Sequence, residues 1–228
     1  MGRVRIQVAG ITSAADALLA AEAGVDAVGF TIGLPPGAPD DTPPSAAAAA
    51  VRALPPFVTP VLITYRSKAA EVAALLEAIG ARTVQLHGGA PREEVARLRS
   101  LLPGVKVVRV VHVVGPESLD AAAAFDDADA ILLDTYDPVT GRRGATGRTH
   151  DWRISAAIVR AARLPVILAG GLHPENVAAA IQTVRPWAVD VHTGVEDAAG
   201  RLDPGKLRAF VAAVGAALAG EDGPGRLQ

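Results

Sequence analysis

The 228-residue sequence predicts an α/β protein folded as a single (β/α)8 TIM barrel. Short apolar runs rich in β-branched residues alternate with Ala- and Leu-rich segments of helical periodicity along the whole chain. We count eight of each kind, which is the number of βα units that closes such a barrel. The length is also close to the roughly 250 residues typical of this fold.

The predicted elements alternate in strict order along the chain. The strands are Val4–Ala9, Ala27–Phe30, Val58–Thr64, Thr83–Leu86, Val105–Val111, Ala130–Leu133, Pro165–Ala169 and Ala188–Val191. The helices are Ala14–Ala23, Ala46–Ala53, Lys68–Ile79, Arg92–Leu101, Ser118–Phe125, Arg153–Ala162, Pro174–Thr183 and Gly205–Leu218. Ser13 is a good N-cap for the first helix, and Gly24 can end it. Pro174 suits a first helical turn, where Glu175 would lie favourably against the helix dipole.

A doubly wound open sheet is the rival architecture, since it has the same alternation of strands and helices. No G-x-G-x-x-G pattern follows the first strand, which argues against the dinucleotide-binding version of that sheet. No linker divides the chain. We therefore expect one barrel over residues 1–219, followed by a frayed Gly- and Pro-containing tail over residues 220–228.

Composition excludes several classes of partner and chemistry. The formal charge is −2, from 22 Lys and Arg against 24 Asp and Glu, with no block of like charges, so we expect no nucleic-acid partner and no membrane surface. The absence of cysteine excludes disulfides, thiolate metal sites and a cysteine nucleophile. No signal peptide or membrane-spanning run is visible, which favours a cytoplasmic protein.

In a barrel of this kind, the chemistry lies where strands end and βα loops begin. The segments that the predicted strands place there are Gly10–Thr12, the long Pro-rich loop Thr31–Ser45, His87–Gly89, Asp134–Thr135, Gly170–Gly171 and His192–Gly194. The loops after the seventh and eighth predicted strands indicate a phosphate site, because Gly170, Gly171, Thr193 and Gly194 offer backbone N–H groups and one hydroxyl. The plainer interpretation is that these glycines only end strands and shape turns.

The residues at these positions resemble those of one family, phosphoribosylanthranilate isomerase. The matching stretches are Gly10–Thr12, Glu22–Phe30, Val84–Gly88, Leu132–Thr135, Gly144–Trp152, Ala169–Val177 and Asp190–Glu196, and together they span most of the chain in order. The resemblance implies an Amadori-type isomerisation of an N-linked phosphoribosyl substrate. An aspartic acid after strand six opens the ribose ring, and a cysteine at the end of strand one removes the C2′ proton. Asp134 matches the acid.

Three segments depart from the family pattern. Where the family reads Lys-Ile-Cys-Gly-Ile-Thr, this chain has Gln7 in place of the lysine and Ala9 in place of the cysteine base. The family also carries an arginine in the second loop that engages the anthranilate carboxylate, but Gly33–Pro44 contains no Lys or Arg and has Asp40 and Asp41 instead. Like charges there would repel a carboxylate. The third departure is His192, where the family usually has serine.

His192 and His87 are the candidates for a replacement base, since both follow strand ends and histidine titrates near neutral pH. Arg109 matches a family lysine and is expected inside the barrel, either as a substrate-pocket residue or in a buried ion pair with a carboxylate such as Asp190. We assign His112 and His150 to loops. The histidine spacing shows no i, i+4 pair, so we expect no metal, and no other cofactor.

These departures leave three hypotheses open. The chain is an active isomerase with Asp134 as acid, His192 or another relocated base, a phosphate site at Gly170, Gly171, Thr193 and Gly194, and a pocket lined by Gln7, Ala9, His87 and Arg109. Alternatively it is a repurposed isomerase, lyase or epimerase that acts on a different phosphorylated small molecule. The third hypothesis is a catalytically silent protein that binds a phosphorylated metabolite. The sequence is compatible with a monomer or a homodimer.

Overall fold

The computed structural model describes residues 3–34, 41–135 and 149–219. Its strands are β1 (Arg5–Val8), β2 (Ala27–Thr31), β3 (Thr59–Thr64), β4 (Thr83–Leu86), β5 (Lys106–Val113), β6 (Ala130–Thr135), β7 (Val166–Leu168) and β8 (Ala188–Val191). Its α-helices are α1 (Ala14–Glu22), α2 (Pro44–Ala53), α3 (Ala69–Ile79), α4 (Arg92–Leu101), α5 (Ser118–Ala123), α6 (Trp152–Ala161), α7 (Val177–Val184) and α8 (Pro204–Ala219).

The eight strands close into a barrel in sequence order, and every neighbouring pair is parallel. The closing pair joins β1 to β8, with Arg5 opposite Ala188 and Val8 opposite Val191. This pair excludes the open-sheet alternative, which would leave β1 and β8 apart, and it confirms the predicted (β/α)8 barrel. Because all strands run in the same direction, their carboxyl ends meet at one mouth.

Side chains alternate in direction along each strand, which gives one apolar layer inside the barrel and a second between the strands and the helices. A small cluster inside the barrel contains Val108, Ala130, Leu132, Ile167, Ala169 and Ala188. The intervening residues, among them Val107, Val111 and Leu133, belong to the large cluster that packs the strands against the helices. The side chain at every second strand position therefore points into the barrel. This parity decides which polar residues reach the mouth.

Of two predicted helix starts, one is confirmed and one is wrong. The Ser13 hydroxyl accepts a hydrogen bond from the Asp16 N–H and caps α1 as predicted. The prediction for Pro174 is wrong, since α7 begins three residues later at Val177. The physical reason is a turn in which the Asn176 side chain accepts from the His173 N–H, while Glu175 forms an ion pair with His173.

The ends of β5 and β6 also differ from the prediction. β5 continues to Val113, so His112 is a strand residue and its assignment to a loop is wrong. β6 continues to Thr135, which places Asp134 inside the strand instead of after it. The two strands pair up to this point, with His112 opposite Asp134. His150 lies outside the helices and strands, as predicted.

The predicted tail over residues 220–228 lies outside the described residues. No described helix combines the length and the apolar character needed to cross a bilayer.

Candidate active site

Asp134 is a buried acid with a raised pKa at the mouth of the barrel. Its side chain is on the inward face of β6, the residue is only 5 % exposed, and its Oδ1 accepts a hydrogen bond from the Thr135 N–H at 2.7 Å. Burial raises the pKa of Asp134 to about 6, although the Thr135 hydrogen bond and the charge of His192 both lower it. A carboxyl group with this pKa can serve as an acid near neutral pH.

Two histidines continue the row of inward side chains beside Asp134. His112 is its direct neighbour across the β5–β6 pair, and the His87 ring lies edge-on to His112 with centroids 6.2 Å apart. Burial and the nearby His112 lower the pKa of His87 to about 3, so its ring is neutral at physiological pH. Its Nε2 lies 2.8 Å from the Gln85 side-chain nitrogen. His87 is therefore a neutral hydrogen-bonding group and a weak base.

These three residues are also the group, within the described parts of the chain, that could hold a metal ion. His87, His112 and Asp134 each offer one ligand atom, and these atoms all lie within 4.8 Å of one another. Two imidazoles and a carboxylate match the protein ligands of catalytic zinc sites in number and kind. The spacing of the histidines along the sequence did not indicate this cluster, because the register of neighbouring strands brings the three side chains together. A cation bound there would keep Asp134 ionised.

A buried polar chain lies one layer deeper in the barrel. The Gln7 amide donates to Gln85 Oε1 at 2.9 Å and to Asp190 Oδ1 at 3.1 Å. Burial and the charge of Asp134 raise the pKa of Asp190 to about 7, while the Gln7 hydrogen bond lowers it. Gln7 thus lies inside the barrel, bonded to Gln85 and Asp190, and its place in a substrate pocket stays a prediction. Being neutral, it provides no opposite charge for Asp190.

His192 follows the end of β8, three strands round the barrel from His112 on β5. A Cβ atom added to Gly10 would come within 2.1 Å of His192 Nε2, so the imidazole lies directly over the end of β1. Ala9 precedes Gly10 and is held by a hydrogen bond from its N–H to the Val191 carbonyl. His192 Nε2 also lies 3.0 Å from Glu196 Oε1. The ring therefore has a carboxylate neighbour that the sequence analysis did not identify, although the i, i+4 spacing of the two residues was readable.

The loops after β7 and β8 pack directly against each other. A Cβ atom on Gly194 would lie 1.9 Å from the Leu172 carbonyl oxygen, and one on Gly170 would lie 2.1 Å from Thr135 Oγ1. Thr193 and Gly194 belong to a short 3-10 helix, Thr193–Val195. Both close approaches require glycine. The contact of Gly194 with Leu172 joins the two loops that carry the four predicted phosphate-site residues, whereas Gly170 packs on the end of β6.

A residue absent from the predictions holds this pair of loops in shape. The Asn176 side chain donates from Nδ2 to the Gly171 carbonyl at 2.9 Å and accepts from the His173 N–H at 2.8 Å. Gly171 itself has a φ of +63°, which an L side chain rarely adopts. Asn176 therefore fixes the turn that presents the Gly171 backbone.

The expectation that Arg109 lies inside the barrel is wrong. Its neighbours in the sheet are Leu86 and Ile131, both of which face the helices. The guanidinium donates to the Ala90 carbonyl at 2.7 Å and stacks 4.4 Å from the centroid of the Phe125 ring. Its acidic neighbour is Asp127, 3.6 Å away, and not Asp190. The reason is strand parity, since Val108 and Val110 take the inward positions on β5.

Asp41, the described acid of the second loop, is engaged by backbone groups. Its Oδ1 accepts hydrogen bonds from the N–H groups of Gly33 and Leu34 at 2.7 and 3.0 Å. Asp40 lies outside the described residues. The Asp41 carboxylate therefore stabilises the base of the loop.

Comparison with known proteins agrees with this architecture over nearly the whole chain. The sequence profile of the family described as N-(5′phosphoribosyl)anthranilate (PRA) isomerase matches residues 6–213. N-(5′-phosphoribosyl)anthranilate isomerase 2 of Methanosarcina mazei is 40 % identical over 209 residues, which is 91 % of this chain and 92 % of that protein. The isomerase of Pseudomonas fluorescens is 41 % identical over 214 residues, covering 94 % of this chain and all of that protein.

Solved structures show the same relationship. The phosphoribosyl anthranilate isomerase of Thermotoga maritima superimposes with a TM-score of 0.82 at 33 % identity, over 93 % of this chain and 99 % of that one. A phosphoribosyl anthranilate isomerase in complex with reduced 1-(o-carboxyphenylamino)-1-deoxyribulose 5-phosphate gives a TM-score of 0.80 at 31 % identity, with the same coverage. The profile match and the identities over nine-tenths of the chain show that this protein belongs to the N-(5′-phosphoribosyl)anthranilate isomerase family.

Proposed function

We propose that the protein isomerises N-(5′-phosphoribosyl)anthranilate to the corresponding 1-amino-1-deoxyribulose 5-phosphate, using Asp134 as the acid and His192 as the base. The observation that carries the proposal is Asp134, a buried carboxyl at the mouth whose pKa is raised to about 6. The relatives named above act on this substrate by their names. The absence of the cysteine base does not affect the ring-opening step, which needs only the acid.

Asp134 begins the reaction in its protonated form. It donates its proton to the ring oxygen of the ribose, and the C1′–O bond breaks as the nitrogen lone pair forms the C1′=N bond of an open-chain Schiff base. With a pKa of about 6, roughly a tenth of the Asp134 carboxyls are protonated at pH 7. That fraction is enough for a group whose proton transfer accelerates ring opening.

His192 then removes the C2′ proton. Its ring lies against Gly10, next to the position where the family carries its cysteine, and Glu196 is its carboxylate neighbour at 3.0 Å. Loss of the proton gives an enolamine, which becomes the ketose when a proton returns to C1′ and the C2′ hydroxyl loses its own. His87 is the weaker candidate because its pKa is lowered to about 3. His112 is on β5, four strands round the barrel from the end of β1 where the family carries its base.

The loops after β7 and β8 would bind the 5′-phosphate. Gly170, Gly171 and Gly194 leave the backbone N–H groups accessible, and Thr193 adds a hydroxyl at the start of the 3-10 helix. We also propose that the protein works in the cytoplasm without a cofactor, as a monomer or homodimer.

The test is a direct assay of N-(5′-phosphoribosyl)anthranilate consumption by the purified wild type and by Asp134→Asn. We expect turnover in the wild type and a loss of about 10²- to 10⁴-fold in the variant, the usual effect of removing a general acid. Circular dichroism and binding of inorganic phosphate check that the variant remains folded. Absence of wild-type turnover together with intact phosphate binding would overturn the proposal in favour of a repurposed or silent barrel.

A further inference from the structure

The carboxylate of an anthranilate group needs a cation, and the second loop supplies none between Gly33 and Pro44. At the described base of that loop, Asp41 is turned onto the Gly33 and Leu34 N–H groups. A ligand carboxylate must therefore find its positive partner on another loop. The inference below rests on the proposed function and concerns where that partner lies.

Arg66 reaches this region from the neighbouring loop. It follows the end of β3, where its N–H donates to Thr64 Oγ1 at 3.2 Å. Its side chain then crosses to the second loop, so that a Cβ atom on Gly33 would lie 3.0 Å from Arg66 Nε. Gly33 has a φ of +88° and no side chain, and the guanidinium occupies the space above it.

The ion pair between Arg66 and Glu71 is solvent-exposed, so a ligand carboxylate can replace Glu71. Arg66 lies 3.5 Å from Glu71, and both side chains are 52 % exposed, so solvent screens the pair. A planar guanidinium prefers a carboxylate that it can bind through two parallel hydrogen bonds. A ligand carboxylate arriving at the mouth offers that arrangement.

An aromatic surface lies directly beside Arg66. Tyr65 is 39 % exposed, and its ring packs on the His87 ring with centroids 5.2 Å apart. His87 in turn contacts His112, the strand neighbour of Asp134. The rim therefore carries, in spatial order, a cation, an exposed aromatic ring, two imidazoles and the acid.

We propose that Tyr65 and Arg66 form the subsite for the carboxylated aromatic amine of the substrate. The aromatic ring of the ligand packs against Tyr65, and its carboxylate pairs with Arg66. The positive charge thus comes from the third βα loop of the barrel, although the resemblance places it in the second. The other end of the ligand extends across Asp134 toward the loops after β7 and β8.

The test measures binding and does not depend on turnover. One probe is reduced 1-(o-carboxyphenylamino)-1-deoxyribulose 5-phosphate, and the other is the same molecule without the carboxylate. Both are titrated calorimetrically into the wild type, Arg66→Gln and Lys68→Gln. Lys68 is the matched control, since it is an exposed cation on the same loop that pairs with Glu94 at 3.5 Å.

We expect Arg66→Gln to weaken binding of the carboxylated probe about 10- to 100-fold, as for loss of a charge-assisted pair. For the probe without the carboxylate, the affinities of the wild type and Arg66→Gln should agree within about 2-fold. Lys68→Gln should bind each probe with the affinity of the wild type. Equal weakening of both probes by Arg66→Gln, or no weakening of either, would overturn this subsite. If the wild type binds inorganic phosphate but neither probe, the proposed function itself fails.

Discussion

The imidazole of His192 lies over Gly10, so close that a Cβ atom on Gly10 would come within 2.1 Å of its Nε2. This contact joins the ends of β8 and β1, which are neighbours only because the barrel closes. The residue before Gly10 is Ala9, where the family resemblance implies a cysteine base. His192 therefore lies next to the position of the cysteine base that this chain lacks. Its role can be tested by removing the histidine and introducing a cysteine at Ala9.

The first prediction concerns this exchange. His192→Gln should lower kcat about 10²- to 10⁴-fold, because it removes the base while keeping a polar side chain of similar reach. Ala9→Cys added to His192→Gln should restore part of the rate, since a thiolate at the end of β1 reaches the same proton. Steady-state kinetics of the two variants and of His112→Gln provide the comparison. A larger loss in His112→Gln would assign the base to His112.

The second prediction concerns the pH dependence of turnover. Asp134 must be protonated to donate, and its pKa is about 6, so kcat should fall tenfold per pH unit well above pH 6. His192 charge lowers the pKa of Asp134, so the residual activity of His192→Gln should fall at a higher pH than that of the wild type. The measurement is kcat against pH in a constant-ionic-strength buffer. A rate that rises steadily through this range would exclude Asp134 as the acid.

The third prediction concerns stability and Asp190. Its pKa is about 7 in the folded chain and about 3.9 when unfolded, so between these values the folded chain binds more protons. The free energy of unfolding therefore falls as the pH rises from about 4 to 7. Asp190→Asn removes this penalty and should stabilise the protein by about 2–4 kcal/mol at pH 8, but little at pH 4.

Urea unfolding at the two pH values measures this difference. Asp197→Asn is the control with the opposite sign, because the Arg201 and backbone hydrogen bonds lower the pKa of Asp197. The Asp197 contribution is present above its unfolded pKa and is lost as the pH falls. A gain from Asp190→Asn that is equal at both pH values would show that packing, and not ionisation, is responsible.

The fourth prediction concerns the proposed phosphate loops. Gly194→Ala should weaken binding of inorganic phosphate, because its Cβ would lie 1.9 Å from the Leu172 carbonyl and push the two loops apart. Gly215→Ala in α8 is the control, since its Cβ would meet nothing within 4 Å and should add about 0.5–1 kcal/mol of stability. Calorimetric titration with phosphate is the measurement. Unchanged affinity in Gly194→Ala would place the phosphate elsewhere.

The fifth prediction concerns Arg109. Because its side chain is buried beneath the helices, Arg109→Ala should destabilise the fold by about 3–5 kcal/mol and leave the partly buried Asp127 as an uncompensated charge. Arg109→Ala/Asp127→Ala should recover part of that loss, as measured by urea unfolding. An Arg109→Ala variant that is as stable as the wild type but binds substrate weakly would contradict this prediction and assign Arg109 to the substrate pocket.

The sequence by itself determined the alternation of eight strands with eight helices and most of the residues at which they end, whereas the β1–β8 pair of the structure decided between a closed barrel and an open sheet. Alternating periods of two and 3.6 residues are local properties, and so are the Ser13 cap and the glycines that end strands. The predicted strand ends also placed Asp134, His192 and the four phosphate-loop residues at the mouth, and the family resemblance then implied that Asp134 is the acid. Their roles at the site are proposals that the experiments above test.

Tertiary structure decided the features that depend on strand parity, register and closure. Parity turned Arg109 outward, and the longer β5 brought His112 opposite Asp134. Closure placed His192 over Gly10, and the approach of two loops placed Arg66 over Gly33. A shift of one residue along a strand reverses the direction of a side chain, and contacts between distant loops leave no periodic trace in the sequence. For that physical reason, the sequence could name the candidates, whereas only the folded chain shows which of them meet.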